Sequence, residues 1–569
     1  MQPMKFSEMP YERPDIEQMK QDVDALCQAL AKATSYEEAR DAFLKKDKWE
    51  RHIMSLRALV TIRHDIDTRD AYYDEESHFW NRTMPLLGAY DQKWNELLLN
   101  SPYREEFAKE FGEIVFTNLQ LKQKTFKPEI IPEMQRENEV VDAYQKLIAS
   151  AQIPFQGGVY TLSQLTPFKN SLDDDIRLAA WKAEGQWYKD HQDKLDEYYD
   201  ELVHLRDTIG KKMGNENYIP VGYARMNRNC YDQKDVEKFR EYVVKYVVPL
   251  ADELHKVQAK RIGKSYPLTF SDNQLDYVDG NEAPKGDAND IVQSMKVFFE
   301  DLSPETGAFF NDMLDHETFD LLSTEGKRSG GYTTGIPDYE IPFVYTNFNG
   351  TQHDVEVMAH ECGHAFCAWL NRKRIPLSTL WPSLDACEVH SMSMEFFAWL
   401  HAEDFFDDVN KFEYSHLGGS VCFIPYGTMV DHFQHEVYEH PQMSPRQRHD
   451  VWKKLLGIYM PWLKLDGDIP FYAQGEGWQR QHHIYTSPFY YIDYCLAQTI
   501  SLEFWALIQE DKDKAWKHYM DYTSLGGSMT FLQLLEAADL ESPFAPDTLK
   551  NVCEKANAWL SEHEPKGNA

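Results

Sequence analysis

Long apolar runs are missing from this chain of 569 residues: nothing approaches the ~18 consecutive apolar residues of a membrane span, which argues against a helical membrane protein. Positive charge is scarce. With 59 Lys and Arg against 93 Asp and Glu, the formal charge is −34, and no basic cluster appears. Nucleic-acid binding and docking on an anionic lipid surface both need clustered cations, so neither partner is expected. Glycine and proline are few, 28 and 27, which excludes collagen-like or linker-dominated architectures. The eight cysteines (Cys27, Cys230, Cys362, Cys367, Cys387, Cys422, Cys495, Cys553) lack the spacing of a disulfide framework. The opening MQPMKFSEMPYERPD lacks the apolar core of a secretory signal, so a reducing, cytoplasmic setting is the expectation. P-loop, G-x-G-x-x-G and G-x-S-x-G patterns are absent, leaving nucleotide-dependent and serine-nucleophile chemistry without support.

What is present is enough apolar material for a large core: 42% of residues are hydrophobic and 14% aromatic. Helical spacing dominates the first half, beginning with Ile16, Met19, Val23, Leu26 and Leu30 on one face. PFQGGVYTLSQLTPF interrupts it as a short strand and turn, and the segment around Ser271–Asp290 reads as a loop. The expected organisation is an N-terminal helical lobe, residues 1–200, and a catalytic region, residues 201–569, intertwined as one unit. From Gly326 to Thr351 the pattern changes to glycines followed by a β-prone run at Ile341–Phe348, a hairpin and strand before a turn at Asn349–Gly350. An exposed strand edge there would hold an extended peptide, with Gly331, Tyr332, Phe343 and Tyr345 as the contacting candidates.

After the turn, Thr351 and Asp354 fit a capping box, and Val355, Met358, Cys362, Phe366 and Trp369 form the buried stripe of a helix. On another side of that helix lie His360 and His364, one turn apart, with Glu361 beside them. This H-E-x-x-H pattern lets two imidazoles grip one zinc ion while the carboxylate reaches the reacting water. Chance supplies about 0.06 such matches at this composition. A catalytic zinc takes a third protein ligand, for which Cys367, Cys387 and Glu388 are candidates. Cys367 is poorly aimed along a straight helix, and Cys387 points about 100° from Glu388. In SLDACEVHSMSMEFFAWL, Val389, Met392, Phe396 and Trp399 form a buried stripe, leaving Glu388, Ser391 and Glu395 on another face. A helix packed across the first would deliver Glu388, with Glu395 or Asp385 supporting a ligand histidine.

These residues resemble the thimet oligopeptidase–oligoendopeptidase F group of zinc metallopeptidases, and the oligoendopeptidase F branch most nearly. HECGH with Glu388 24 residues after His364, GKRSGGYTTG, PFVYTNFNGTQHDVEVMAHECGHAF, HHIYTSPFYYIDYCLAQ and LESPFAPDTLK carry the likeness in order. The resemblance implies a mainly α, two-lobed helical metallopeptidase with a deep central channel and a small β-sheet near the zinc helix. It also implies one Zn2+ per chain, endopeptidase action on short peptides, and a His and two Tyr near the C-terminal end that stabilise the oxyanion. Alignment places Tyr494 on one of those tyrosines and Ser487 opposite the other; Tyr485 or Tyr491 is the substitute, with His483 or His482 as the histidine.

Ser487 and Pro488 read as the cap and first turn of the helix carrying Tyr490, Tyr491 and Tyr494. DHFQHEVYEH, with His432, His435, Glu436 and His440, lacks an i, i+4 pair around a base and reads as a packed or solvated face. The readings from other classes are a non-catalytic peptide-binding helical protein with a zinc site, and a structural zinc protein, which would need a fourth ligand.

Overall fold

The helical spacing of the first half is realised locally. The helix Ile16–Lys32 starts where the Asp15 side chain accepts from the Gln18 N–H, and it buries Met19, Val23, Cys27 and Leu30. The structure, a computed structural model, describes residues 3–465 and 468–565. It is mainly α, and no described helix is long and apolar enough to cross a membrane. The main apolar core draws side chains from Phe6 to Leu560, while the helices before residue 120 add two smaller clusters. The expected excursion after Pro154 is a hairpin, Ile153–Phe155 paired with Gly158–Tyr160.

The sheet that positions the site has three strands. Ile341–Phe348 lies in the middle, parallel to Phe319–Leu322 on one side and antiparallel to Tyr332–Ile336 on the other. The β-prone run is therefore central, and every residue of it but Asn347 is buried. The edge is Tyr332–Ile336. Gly335 pairs with Pro342, which has no N–H, and the Val344 N–H goes to Thr318 O at 2.9 Å instead of to Thr333. By the alternation of antiparallel ladders, the backbone groups of Thr333 and Gly335 point away from the sheet.

The histidine helix, His353–Asn371, follows and packs on this sheet, with Val355, Met358, Cys362 and Phe366 all 1% exposed or less. Each such side chain contributes roughly 1.5–3 kcal/mol by leaving water. Its start differs from the expected capping box. Gln352 occupies the cap without a side-chain cap bond, and the Thr351 hydroxyl donates to Asn349 Oδ1. The Asp354 carboxylate accepts from Asn349 N at 3.0 Å and Gly350 N at 2.7 Å, because the tight turn leaves those N–H groups unpaired.

A second helix, Leu384–Phe397, crosses the first at Gly363. A Cβ there would come within 2.7 Å of Ser391 Cα and 2.8 Å of His390 O, so only glycine allows the approach. This helix is enclosed between the histidine helix and Tyr491–Glu510, which buries Glu388, His390, Ser391 and Ser393 along with its apolar stripe.

Candidate functional site

The close crossing at Gly363 brings Glu388 against both histidines. Glu388 Oε2 lies 3.1 Å from His360 Nε2 and 3.3 Å from His364 Nε2, and the donor atoms of the three side chains lie within 4.8 Å of one another. One hydrogen-bond chain fixes the orientation of His360. Trp399 Nε1 can only donate, and it does so to His416 Nδ1 at 2.8 Å; the His416 proton therefore sits on Nε2, 3.0 Å from Glu395 Oε2. Glu395 Oε1 accepts from His360 Nδ1 at 2.7 Å, which leaves the Nε2 lone pair of His360 aimed at Glu388. A lone pair facing a carboxylate oxygen at 3.1 Å needs a cation or a proton between them, so the donor set fits a metal ion. The electrostatics agree. Burial opposes charge on His360, yet its bonds to Glu388 and Glu395 carry its pKa well above the ordinary value. Burial likewise opposes charge on Glu388, yet His364 and His360 hold its pKa well below that of an ordinary carboxylate.

Glu361 lines the same cavity, of about 600 Å3, and its Oε2 accepts from Thr333 Oγ1 at 2.7 Å. Burial raises its pKa, with His360 and His364 opposing, which suits a group that takes and returns a proton. Gly331 leaves the carboxylate its room: a Cβ at that position would sit 3.2 Å from Glu361 Oε1.

The opposite wall comes from the C-terminal segment. Gln481 Nε2 donates to His483 Nδ1 at 2.8 Å, which puts the His483 proton on Nε2, 3.3 Å from the Tyr494 hydroxyl. Burial, reinforced by His482, lowers the pKa of His483 well below its ordinary value, so the ring is a neutral donor. His482 lines the cavity too, its pKa lowered to about 4 by burial. The Tyr490 hydroxyl donates to Glu388 Oε1, the oxygen that the histidines leave free.

Several expected positions lie elsewhere. Phe343 and Tyr345 belong to the central strand and face the interior. Phe343 packs 4.4 Å from the ring of Phe6, and the Tyr345 hydroxyl donates to Arg328 O at 2.6 Å. Neither lines the cavity, whereas Gly331 and Tyr332 do. Tyr485 is fully buried, stacked 3.9 Å from Tyr144, with its hydroxyl donating to Leu195 O. Tyr491 turns away into a neighbouring cavity. The long helix starts at Tyr491, not at Ser487, because Phe489 has φ +69° and its N–H is taken by Gln434 Oε1. Cys367 and Cys387 are buried and lie outside the metal-donor group, the Cys387 thiol donating to Pro382 O. Asp385 accepts from the Ala386 N–H, so Glu395 alone of the two supports a ligand histidine.

Sequence reasoning named Tyr490 only as one of three tyrosines on a helix, without its role beside Glu388, and it missed Thr333 and His416. Tyr490 had one signal, its i, i+4 relation to Tyr494; the others are tertiary contacts. His435 packs against Tyr223, in keeping with the packed-face reading of that helix. A second group of donors, Asp74, His78 and Asp142, already holds the Lys146 ammonium between its two carboxylates.

Comparison with known proteins finds two family models and several relatives. The Peptidase M3 N-terminal domain matches residues 6–126, and Peptidase family M3 matches residues 292–553. An oligoendopeptidase F homolog of Borreliella burgdorferi is 23% identical over 390 residues, covering 66% of this chain and 62% of that protein's length. PZ peptidase A, solved with an inhibitor, is 40% identical with a TM-score of 0.97, over 98% of this chain and 99% of the other. A solved chain assigned to oligoendopeptidase F is 42% identical with a TM-score of 0.97, over the same shares.

Proposed function

The chain belongs to the peptidase M3 family, in its oligoendopeptidase F branch, and is a metallo-endopeptidase; on that premise we propose that it is a zinc enzyme that cleaves internal bonds of short oligopeptides. The convergence of His360, His364 and Glu388 beside Glu361 carries this reading. Those three side chains hold one zinc per chain. When bound, the ion acts as a Lewis acid on the scissile carbonyl and lowers the pKa of water toward ~7.

The rest of the chemistry belongs to the chain. Glu361 accepts a proton from the attacking water as the carbon–oxygen bond forms, then gives it to the amine nitrogen as the carbon–nitrogen bond breaks. Thr333 holds that carboxylate in place. The Tyr494 hydroxyl and the His483 Nε2–H are the donors for the negative charge that develops on the carbonyl oxygen, each worth roughly 10²–10³ in rate. Tyr490 steadies Glu388 and so acts through the metal centre. The outward backbone groups of Thr333 and Gly335 pair with the peptide as an added strand.

We read residues 1–200 as a helical lobe, residues 201–569 as the catalytic region, and the cavity as the floor of a channel between two lobes that admits peptides and excludes folded proteins. The eight unpaired thiols favour a cytoplasmic setting.

A defined peptide mixture of about five to thirty residues, lengths chosen to bracket a channel of this kind, incubated beside denatured casein and read by mass spectrometry, tests the reading. Internal cuts confined to short peptides, lost on chelation and recovered with zinc, are expected. A folded, zinc-loaded protein that cuts nothing would overturn it.

A further inference from the structure

The roof of the catalytic cavity comes from the N-terminal half of the chain. The helix Tyr36–Ile66 presents Met54, Arg57, Ala58 and Thr61, the i, i+3, i+4 and i+7 positions of one face, to the cavity that Glu361 and Glu388 line. Two arginines line this cavity. Arg328 is paired with Asp65 at 3.0 Å, whereas Arg57 has no hydrogen bond or ion pair among the described residues. That is unusual in a chain with 93 Asp and Glu against 59 Lys and Arg. The Arg57 side chain is exposed by area yet enclosed by protein, and burial lowers its pKa with no anion to offset it. The carboxylates lining the cavity are Glu361 and Glu388, and the catalytic reading already employs both. A guanidinium that gives up water without gaining a partner is costly, and an anionic ligand would recover that cost.

The helix runs antiparallel to the edge strand Tyr332–Ile336. Ser55 Oγ accepts from the Asp338 N–H at 2.8 Å at one end, and Asp65 Oδ2 accepts from the Tyr332 hydroxyl at 3.0 Å at the other. Arg57 is two residues from Ser55 and eight from Asp65, so it stands toward the Gly335 end of the strand and away from the Gly331 end. Met54, on the same face, lines a further cavity of about 250 Å3 with Thr334, Gly335 and Ile336. A Cβ on Gly335 would meet nothing within 4 Å, so the space beside the strand is open there. Antiparallel pairing is the stabler ladder. A peptide added to Thr333 and Gly335 in that sense has its N-terminal residues toward Gly335 and its cut bond near Thr333, beside Glu361.

We infer that Arg57 selects an acidic side chain, Asp or Glu, on the N-terminal side of the cut, within about three residues of it at the ~3.3 Å per residue of an extended chain. The inference rests on the placement of the cut at Glu361 and of the peptide on the edge strand. A guanidinium presents paired N–H groups that fit a carboxylate, and such charge-assisted bonds are the strong ones. Arg57 holds substrate and takes no part in making or breaking the bond.

The experiment uses one peptide whose C-terminal half is constant, with Glu, Gln or Lys placed in turn at each of the three residues before the cut. It is read as kcat/KM, with the cut mapped by mass spectrometry. For the wild-type enzyme one position should favour Glu over Gln by about tenfold or more, the effect of one hydrogen bond to a charged group. The gain should come mainly through KM, and Lys should be poorest there. R57Q should bring the Glu-to-Gln ratio at that position close to one, and R57E should reverse the order so that Lys is cut best. A ratio within one variant is independent of how much of it is folded. Equal cleavage of Glu and Gln peptides by wild type at all three positions overturns the inference, needs no variant to fold, and leaves the catalytic reading standing. A Glu preference that survives in R57Q also overturns it. Failure of wild type to cut any peptide of the series would overturn the catalytic reading, and this inference with it.

Discussion

The two walls of the catalytic cavity are built by different means. One is a pair of helices whose candidate metal donors are set by helical period: His360 and His364 stand one turn apart, and Glu388 meets them where a second helix crosses at Gly363. The other is the segment Gln481–Tyr494, in which a short helix ends, the chain passes through Phe489 at φ +69°, and a long helix begins. On the first wall, neighbours in sequence predict neighbours in space. On the second, a single left-handed residue sets where the long helix begins and so which of its faces meets the cavity. Tyr490 and Tyr494, one turn apart after that break, face inward, Tyr491 lies about 100° round the same helix, and Tyr485, before the break, is buried elsewhere.

The harshest way to break the comparison is to remove the residue that the helix crossing supplies. Glu388→Ala should abolish activity and take the zinc content of the purified chain from one per molecule toward none, measured by elemental analysis on protein whose circular dichroism is unchanged. Full zinc occupancy would mean that the crossing does not supply a ligand. Glu361→Gln tests the same wall differently: zinc stays, and kcat falls by roughly 10²–10⁴. Wild-type turnover in that variant would remove Glu361 from the proton transfers.

The second wall is tested by a pair. Tyr494→Phe should lower kcat by roughly 10²–10³ with KM little changed, since its donor meets charge present only in the transition state. Tyr485→Phe, whose hydroxyl is committed to Leu195 O, should leave kcat near wild type. If the two variants were alike, facing the cavity would not be what separates these tyrosines.

The same contrast explains what could be read from the sequence. The histidine helix, its buried stripe, the Glu388 helix and the strand Ile341–Phe348 follow from spacing and propensity, which act within a few residues. That this strand is central depends on Phe319–Leu322, a four-residue partner with no pattern of its own, and the error over Phe343 and Tyr345 followed from it. The helix start expected at Ser487 failed for a tertiary reason. Arg228 reaches Phe489 O and pairs with Asp493 at 2.7 Å, tying the turn down from a loop more than 250 residues earlier.

The smallest effect sharpens the comparison most, because Glu395 does not line the cavity. Its carboxylate passes an orientation from Trp399 and His416 to His360, keeping the His360 proton on Nδ1. Glu395→Gln preserves shape but can present an N–H where an acceptor is needed, so His360 is pushed toward the wrong tautomer. Zinc affinity should fall by about 10–100-fold, read by competition with a chelator of known strength. At saturating zinc, kcat should return close to wild type, which a residue acting in the chemical step would not allow. A kcat deficit that persists at saturating zinc would place Glu395 in the reaction itself, and the first wall would then depend on more than its helical period.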